Sequence, residues 1–160
     1  FIDPDDPIFV QAGDIPSRIR DYCLKTNQEV PKSDGEVVRC INESLAMKYR
    51  YSLEEIQECT NKNYGVIYML GGGTQSKLLC QMTASACNTK VSAGPIEATV
   101  YGNIAIQLMA TKKIDNLYKA REIIKNSNDM NYYKPQNYEL WDSEYERFKN
   151  VIKSREVIKC

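Results

Sequence analysis

A run of three glycines stands between a short apolar segment and a helical pattern, and this stretch constrains the fold more than any other. It reads VIYMLGGGTQSKLLCQMTASAC over residues 66–87. The β-branched and aromatic residues of 66–70 are typical of a buried strand, whereas the apolar spacing from Ser76 onward is helical. The predicted order is therefore strand, glycine turn, helix, and such a turn suits a ligand that lies against the main chain.

The glycine turn matches neither of two common phosphate-binding motifs. A P-loop requires Gly-Lys-Ser/Thr after its glycines, whereas Thr74, Gln75 and Ser76 stand there in this sequence. A dinucleotide fingerprint requires a glycine in place of Ser76 and an acidic residue after the next strand, which here ends in Gly94 and Pro95. Because strand-to-helix turns also use glycine for steric reasons, a purely structural turn stays open as the alternative to a ligand site.

Apolar residues at helical spacing predict five further helices. The first begins near Asp14 and Pro16, and the second begins at a Ser33–Glu36 capping box. The other three begin at Glu97, near Leu117 and after Pro135. Their predicted apolar faces are Ile15, Ile19, Tyr22 and Cys23; Val37, Ile41, Leu45, Tyr49, Leu53 and Ile56; Tyr101, Ile104, Ala105 and Leu108; Leu117, Ala120, Ile123 and Ile124; and Trp141, Tyr145, Phe148 and Ile152.

A second short strand is predicted at residues 89–93, directly after the central helix. A strand, helix, strand path makes a parallel pair with a right-handed crossover. We expect the sheet to have these two strands, with residues 126–131 forming only the polar end of a helix. Gly102, inside the helix that follows, costs about 1 kcal/mol relative to alanine, so we expect a close approach of backbone or ligand to require it.

Charge and cysteine usage narrow the class of protein. The 21 lysines and arginines balance 21 aspartates and glutamates, so no basic field indicates nucleic acid. No apolar run approaches the roughly 20 residues that cross a bilayer, which predicts a soluble protein. The sequence has no histidine, which disfavours a zinc site or a histidine base. Free thiols, as in cytoplasmic proteins, are expected for the cysteines, which form no C-x-x-C pair: Cys23, Cys40, Cys59, Cys80, Cys87 and Cys160.

The sequence of residues 71–110 resembles the C-terminal domain of the FGGY carbohydrate kinases, and within them the rhamnulokinase group. The resemblance rests on GGG-x-Q, the LLCQ-x-TA helix, the phrase AGPIEAT followed by Gly102 and Asn103, and the Gln107-Leu108-Met109 triplet. Residues 30–31, 39–41 and 44–46 and the late Trp, Tyr, Phe pattern extend it over nearly the whole chain. The assignment to the rhamnulokinase group depends mainly on residues 93–103.

The resemblance implies the fold and the activity of a sugar kinase. The fold would be α/β, part of a ribonuclease-H-like domain of the actin and hexokinase type, helix-rich, with a short parallel β-α-β unit around the Gly71–Gly73 turn. The activity would be transfer of the γ-phosphate of ATP, with Mg²⁺, to the 1-hydroxyl of L-rhamnulose. A kinase for another deoxy-ketose or a pentulose, and a non-catalytic module that binds a nucleotide or a partner, are the alternatives.

The resemblance also assigns the glycine turn a role. In the family this turn holds the adenosine side of ATP, which corresponds here to Gly71, Gly72 and Gly73, with Gln75 adjacent. Three more residues match family positions but receive no ligand, because helix capping and packing explain them equally well: Glu97, Thr99 and Asn103.

The parts of the family that carry the chemistry have no counterpart in this sequence. The sugar site, the phosphate-binding segments and the catalytic aspartate of the family lie upstream of anything that matches Phe1, so no catalytic residue is expected here. The three-stranded meander that begins such a sheet does not precede Ser33 either. We therefore expect residues 1–160 to be a single domain or a fragment of one, the nucleotide-side part, inactive as a kinase by itself.

Overall fold

The computed structural model describes residues 1–157, with side chains described through Lys153. In chain order the elements are α1 (Ile15–Lys25), α2 (Asp34–Thr60), β1 (Val66–Met69), α3 (Lys77–Ala86), β2 (Lys90–Ala93), α4 (Ala98–Ala110), α5 (Leu117–Asn126), β3 (Asn131–Tyr133) and α6 (Tyr138–Val157). Short 3-10 helices occupy Pro7–Phe9 and Gly72–Gln75. Within the described part of the chain, no helix combines the length and the apolar character that a membrane crossing requires. The predicted fold class, α/β and helix-rich, is confirmed.

Local hydrogen bonds explain where the helices begin. Asp14 caps α1 by accepting from the Ser17 N–H at 3.1 Å. At the start of α2, the Ser33 hydroxyl accepts from the Glu36 N–H at 3.2 Å and the Glu36 carboxylate accepts from the Ser33 N–H at 3.1 Å. This reciprocal pair is the predicted capping box, and it satisfies two N–H groups that the helix itself leaves unpaired.

The three strands form one mixed sheet in the order β1, β2, β3. β1 pairs with β2 in parallel, from Val66 opposite Lys90 to Met69 opposite Ala93, which confirms the predicted pairing. β3 pairs with β2 antiparallel, with Tyr132 opposite Ser92. The prediction of a two-stranded sheet is therefore wrong, because β3 is too short to show a periodicity and forms through its pairing with β2.

The two faces of the sheet have different surroundings. On one face, Val91 and Ala93 are buried against α3, with Ile67 and Met69 of β1 partly buried beside them. On the other face, Tyr68 is 70% exposed. The expectation that residues 66–70 form a buried strand is wrong, because α3 covers only one side of β1.

The helices α1, α2, α3 and α6, which we call the helical layer, enclose most of the core. Ile19, Tyr22 and Cys23 of α1 pack with Val37 and Cys40 of α2. The aromatic face predicted for the last helix is confirmed, since Tyr145, Phe148 and Ile152 are buried with Ala46 and Met47 of α2 and Ala86 of α3, with Trp141 packed beside them. These two clusters join α2 to the helices on both sides of it.

The buried face of α2 differs from the predicted one. The helix buries Val37, Cys40, Ser44 and Met47, whereas Ile56 is 50% exposed. Tyr49, also expected to face the core, is 38% exposed. The error arises because the predicted stripe drifts around the helix over its 27 residues, and most residues of the last two turns are exposed.

The helices α4 and α5 share a small core of their own, formed by Ala105, Ile114 and Ala120. Much of their predicted apolar surface stays exposed, including Ile104 at 48% and Leu117 at 46%. An added Cβ at Gly102 would meet no heavy atom within 4 Å. The expectation that a close backbone approach requires Gly102 is therefore wrong for the described residues.

The cysteines within the described residues are free thiols, as predicted. Cys23 and Cys40 nevertheless lie in one core cluster, one on α1 and the other on α2. The hydrogen bond between the two thiols lowers the pKa of Cys40 and raises the pKa of Cys23. Cys160 lies outside the described residues.

Candidate functional site

The glycine turn begins with a backbone conformation that only glycine adopts readily. Gly71 has φ +84° and ψ −165°, a combination that a Cβ atom disfavours by a few kcal/mol. The chain then makes one turn of 3-10 helix through Gly72–Gln75 before α3 begins at Lys77. The positive φ that the turn requires is thus located at Gly71 and not at the two glycines that follow.

Hydrogen bonds fix the shape of this turn from inside. The Thr74 hydroxyl donates to the Gly71 carbonyl at 2.7 Å, and the Ser76 N–H donates to the Gly73 carbonyl at 3.2 Å. Below them, the thiol of the buried Cys80 lies 3.8 Å from the Thr74 carbonyl, and burial raises the pKa of that thiol. The thiol therefore stays protonated near neutral pH, and the residue that packs beneath the turn carries no charge.

The ends of the two parallel strands are joined to each other. The Gly71 N–H donates to the Pro95 carbonyl at 3.2 Å, and the Gly94 N–H donates to the Met69 carbonyl at 2.9 Å. Gly94 has φ +118°, and a Cβ there would lie 3.2 Å from the Asp129 carbonyl oxygen. In open α/β sheets, ligands bind beyond the carboxyl ends of parallel strands, which is where these two turns meet.

The solvent side of the turn is open. Added Cβ atoms at Gly71, Gly72 and Gly73 would each meet no heavy atom within 4 Å. Gly72 and Gly73 are exposed and have negative φ, so neither strain nor crowding within the described residues demands glycine at these two positions. A purely structural explanation of the turn therefore accounts for Gly71 but not for the next two glycines. Gln75 is exposed on the same turn.

Glu97, Thr99 and Asn103 lie at the start of α4, after the Gly94 turn, and all three are exposed. Glu97 occupies the N-cap position, but its side chain makes no capping hydrogen bond. Asn103 accepts a 2.6 Å hydrogen bond from the Gln107 side chain one turn later. Side-chain capping thus does not explain Glu97, and the structure assigns none of the three a ligand.

The donor set of the described residues does not fit a metal site. Among residues 1–153, whose side chains are described, no group of three Cys, Asp or Glu side chains lies close enough together to hold an ion. The open main chain of the glycine turn, in contrast, fits a flat uncharged group such as a nucleoside.

Sequence reasoning identified the glycine turn but missed its partner. Gly94 and Pro95 were expected only to end a strand, whereas they bind the first glycine of the turn and the residue at the end of β1. The signal was present, since a Gly-Pro pair after the second of two parallel strands must lie at the same sheet edge as the turn after the first.

Comparison with known proteins gives consistent results. The model of the C-terminal domain of the FGGY family of carbohydrate kinases matches residues 1–111. The chain is 40% identical over 153 residues to the rhamnulokinase of Bacteroides thetaiotaomicron. This aligned region covers 96% of this chain and 32% of that protein. It is 38% identical over 133 residues to the rhamnulokinase of Oceanobacillus iheyensis, covering 83% of this chain and 28% of that protein. The chain therefore spans about a third of the length of these relatives.

Proposed function

The chain belongs to the FGGY family of carbohydrate kinases, and we propose that it is the ATP-binding portion of a cytoplasmic rhamnulokinase. The complete enzyme would transfer the γ-phosphate of ATP to the 1-hydroxyl of L-rhamnulose. Two relatives named rhamnulokinase, 40% and 38% identical, support this choice of subfamily. The proposal treats residues 1–160 as a single domain or a part of one.

The observation that carries the proposal is the open side of the glycine turn. Gly72 and Gly73 are exposed, have space for side chains and yet carry none. Any side chain larger than that of glycine would block a planar ligand from lying directly on the main chain. A bound ligand therefore explains glycine at two positions where the rest of this chain does not require it. The turn also lies at the carboxyl edge of the parallel pair, where nucleotides bind in α/β proteins.

In this proposal the residues of the chain bind and position the nucleotide. Gly71 sets the direction of the turn, Gly72 and Gly73 form the flat surface for the adenosine, and Gln75 is the adjacent polar side chain. ATP bound there with Mg²⁺ supplies the phosphoryl group. Phosphoryl transfer depends on positioning and on charge stabilisation, so the general base, the ligands of the metal and the sugar site belong to other parts of the kinase.

The proposal is tested by Gly72→Val in the whole kinase. Because Gly72 has negative φ and open space around it, valine leaves the fold in place but projects into the volume assigned to the adenosine. We expect ATP affinity, measured by calorimetry, to fall at least tenfold, which corresponds to about 1.4 kcal/mol. The melting temperature should change by no more than a few degrees.

Gly65→Val is the matched control for this experiment. Gly65 precedes β1 at the opposite end of the strand, and it too has negative φ and no heavy atom within 4 Å of an added Cβ. We expect ATP affinity in this variant to equal that of the unaltered kinase. Wild-type affinity in a folded Gly72→Val variant would exclude the glycine turn as the nucleoside site.

Substrate choice is tested by ADP release from the whole kinase with a panel of ketoses. L-Rhamnulose should give the highest kcat/KM, and a preference for another deoxy-ketose or a pentulose would reassign the substrate. No ADP release with any sugar, together with intact nucleotide binding, would favour the non-catalytic module. Residues 1–160 by themselves should show no rhamnulose-dependent turnover.

A further inference from the structure

A groove of about 990 Å³ lies on the side of the sheet that α3 does not cover. One wall is the exposed face of the strands, and the other is formed by α4 and α5. We call the following residues the groove: Val66, Tyr68, Leu70, Lys90, Val91, Ser92, Gly94, Pro95, Ala98, Gly102, Arg121, Ile124, Lys125, Met130, Tyr132, Tyr133 and Lys134. The three glycines of the turn do not line the groove, but the groove adjoins the turn, because Leu70, Gly94 and Pro95 are among its residues.

The floor of the groove is apolar and aromatic. Register places Tyr68 of β1 next to Ser92 of β2, and Ser92 next to Tyr132 of β3. Ser92 is buried, whereas Tyr68 is 70% and Tyr132 is 67% exposed. Two aromatic rings thus rise on either side of a small residue, in a surface that two aliphatic residues of β1 extend. Uncovered aromatic surface of this extent is typical of an interaction site.

The charged residues of the groove all have the same sign. They are Lys90, Arg121, Lys125 and Lys134, and no aspartate or glutamate is among the groove residues. Within the described part of the chain, none of these four cations forms an ion pair, although carboxylates pair with several basic residues elsewhere. An apolar floor with a cationic border is complementary to an occupant that has an apolar face bordered by carboxylates.

The dimensions favour a protein segment. A helix with its side chains is about 10–12 Å across, so the groove has the volume of roughly two helical turns. The four cations are exposed and are distributed over β2, α5 and the residue that follows β3. An amphipathic segment with acidic flanks therefore fits the groove better than a small anion does.

The length of the relatives indicates where such a segment can come from. Residues matched by this chain make up 32% and 28% of the two rhamnulokinases, so a kinase of that length has ample chain to supply it. A segment of the same polypeptide is also present at a high effective concentration, whereas a separate partner must pay the full entropy of association.

We propose that the groove docks an acidic amphipathic segment of the same kinase polypeptide, from outside residues 1–160. This docking depends on the proposed function in one respect, namely that the chain is one portion of a longer kinase. Docking there would cover the open face of the sheet and hold α4 and α5 relative to the strands, on the opposite side of the sheet from α3.

A zero-length carbodiimide cross-linker tests this in the whole kinase, because it joins amines only to carboxylates in direct contact. We expect Lys125 and Lys134 to be cross-linked to aspartates or glutamates outside residues 1–160. Lys62 and Lys113, which lie outside the groove, are the controls and should give at least tenfold less of these products. Cross-links confined to residues 1–160, or none from the groove lysines, would overturn the proposal.

A mixture of isotopically light and heavy kinase distinguishes the possible occupants. Products that join light and heavy chains would identify a second copy of the protein as the occupant and would contradict docking within one polypeptide. Cross-links to an unrelated protein from the expression host would contradict it as well. Products within single chains are the expected result.

Substitution of Tyr68 gives a second, independent measurement. In the whole kinase, Tyr68→Thr keeps a residue that favours strands but removes the ring, so we expect the melting temperature to fall by several degrees. Tyr68→Phe keeps the ring, so its melting temperature should stay within about a degree of that of the unaltered kinase. The control Tyr118→Phe should show the same, since Tyr118 is 81% exposed on α5 and lies outside the groove. An unchanged melting temperature in Tyr68→Thr would show that nothing covers the ring.

The outcomes also separate this proposal from the proposed function. An active rhamnulokinase whose groove lysines form no external cross-links would refute the docking alone. Groove cross-links in a protein that neither binds ATP nor releases ADP would refute the kinase function alone.

Discussion

Apolar residues at regular spacing occur both in the helical layer and on the groove side of this chain, but the two regions differ in how far these residues are buried. In the helical layer, Phe148 of α6 is fully buried, and the faces of α1 and α6 lie where their spacing predicts. On the groove side, Tyr68 of β1 and Ile106 of α4 are 70% and 59% exposed. A hydrophobic period thus predicts that an element has a face to bury, but it does not show that a neighbour covers that face.

The helical layer and the groove side also differ in whether their basic side chains form ion pairs. In the helical layer, the buried Arg50 of α2 donates to Glu54 at 2.9 Å and to Asp142 of α6 at 2.7 Å. Its guanidinium carbon lies 3.9 Å from the centre of the Tyr145 ring. The groove cations have no such partners within the described residues. The helical layer therefore pairs its buried cation with two carboxylates, although Arg50 Nη1 has no hydrogen-bond partner among the described residues, whereas the groove cations have no carboxylate partner there.

The largest effect is expected from Phe148→Ala, which disrupts the core of the helical layer. Phe148 is fully buried and contacts the rings of Phe1 and Tyr145, with centroids 5.8 Å and 6.5 Å away. We expect the free energy of unfolding in urea to fall by about 3–5 kcal/mol. Leu140→Ala on the same helix is the control, because Leu140 is 68% exposed and should cost less than about 0.5 kcal/mol.

A smaller effect is expected from Arg50→Ala, which removes the polar link between α2 and α6. The two carboxylates stay partly exposed and can be hydrated, so we expect a loss of about 1–2 kcal/mol in urea unfolding. Arg39→Ala is the matched control, since Arg39 and Glu43 form an ion pair at the same spacing on α2. That pair is on the surface and should contribute about 0.5 kcal/mol or less. Equal effects in both variants would show that burial of Arg50 adds nothing.

Alanine substitutions at two glycines of the groove should change stability in opposite directions. In residues 1–160 alone, where no docked segment is present, Gly102→Ala should stabilise the chain by about 0.5–1 kcal/mol, because the site is helical and open. Gly94→Ala should destabilise it, since Gly94 has φ +118° and an added Cβ lies 3.2 Å from a carbonyl oxygen. Urea midpoints of both variants check the two signs. Loss of stability in Gly102→Ala would mean that something occupies the space beside α4.

The smallest effect is expected from the titration of Cys87. Burial raises the pKa of this thiol to about 12, from an ordinary value of 9.0. Between these two pH values the unfolded thiol releases its proton while the folded one keeps it, so stability declines as the pH rises from 9 toward 12. In Cys87→Ala the decline of the melting temperature over this window should be shallower, whereas Cys59→Ala, at an exposed thiol, should leave it unchanged.

Many features of the fold could be predicted because they depend on contacts within a few residues. The Ser33–Glu36 capping box is one example, and the start of α1 at Asp14 is another. The glycine turn after β1 is a third, because the backbone conformation of Gly71 excludes most other residues. The position of the candidate site was thus determined by the sequence itself.

Other features were decided by tertiary structure, because they depend on which elements become neighbours. β3 exists through its pairing with β2, and the exposure of Tyr68 follows from the fact that α3 covers only one face of the sheet. The joining of Gly71 to Pro95 depends on the parallel register of β1 and β2. Local sequence determines the conformation of each segment, but the burial of a face and the meeting of two turns depend on contacts between different segments.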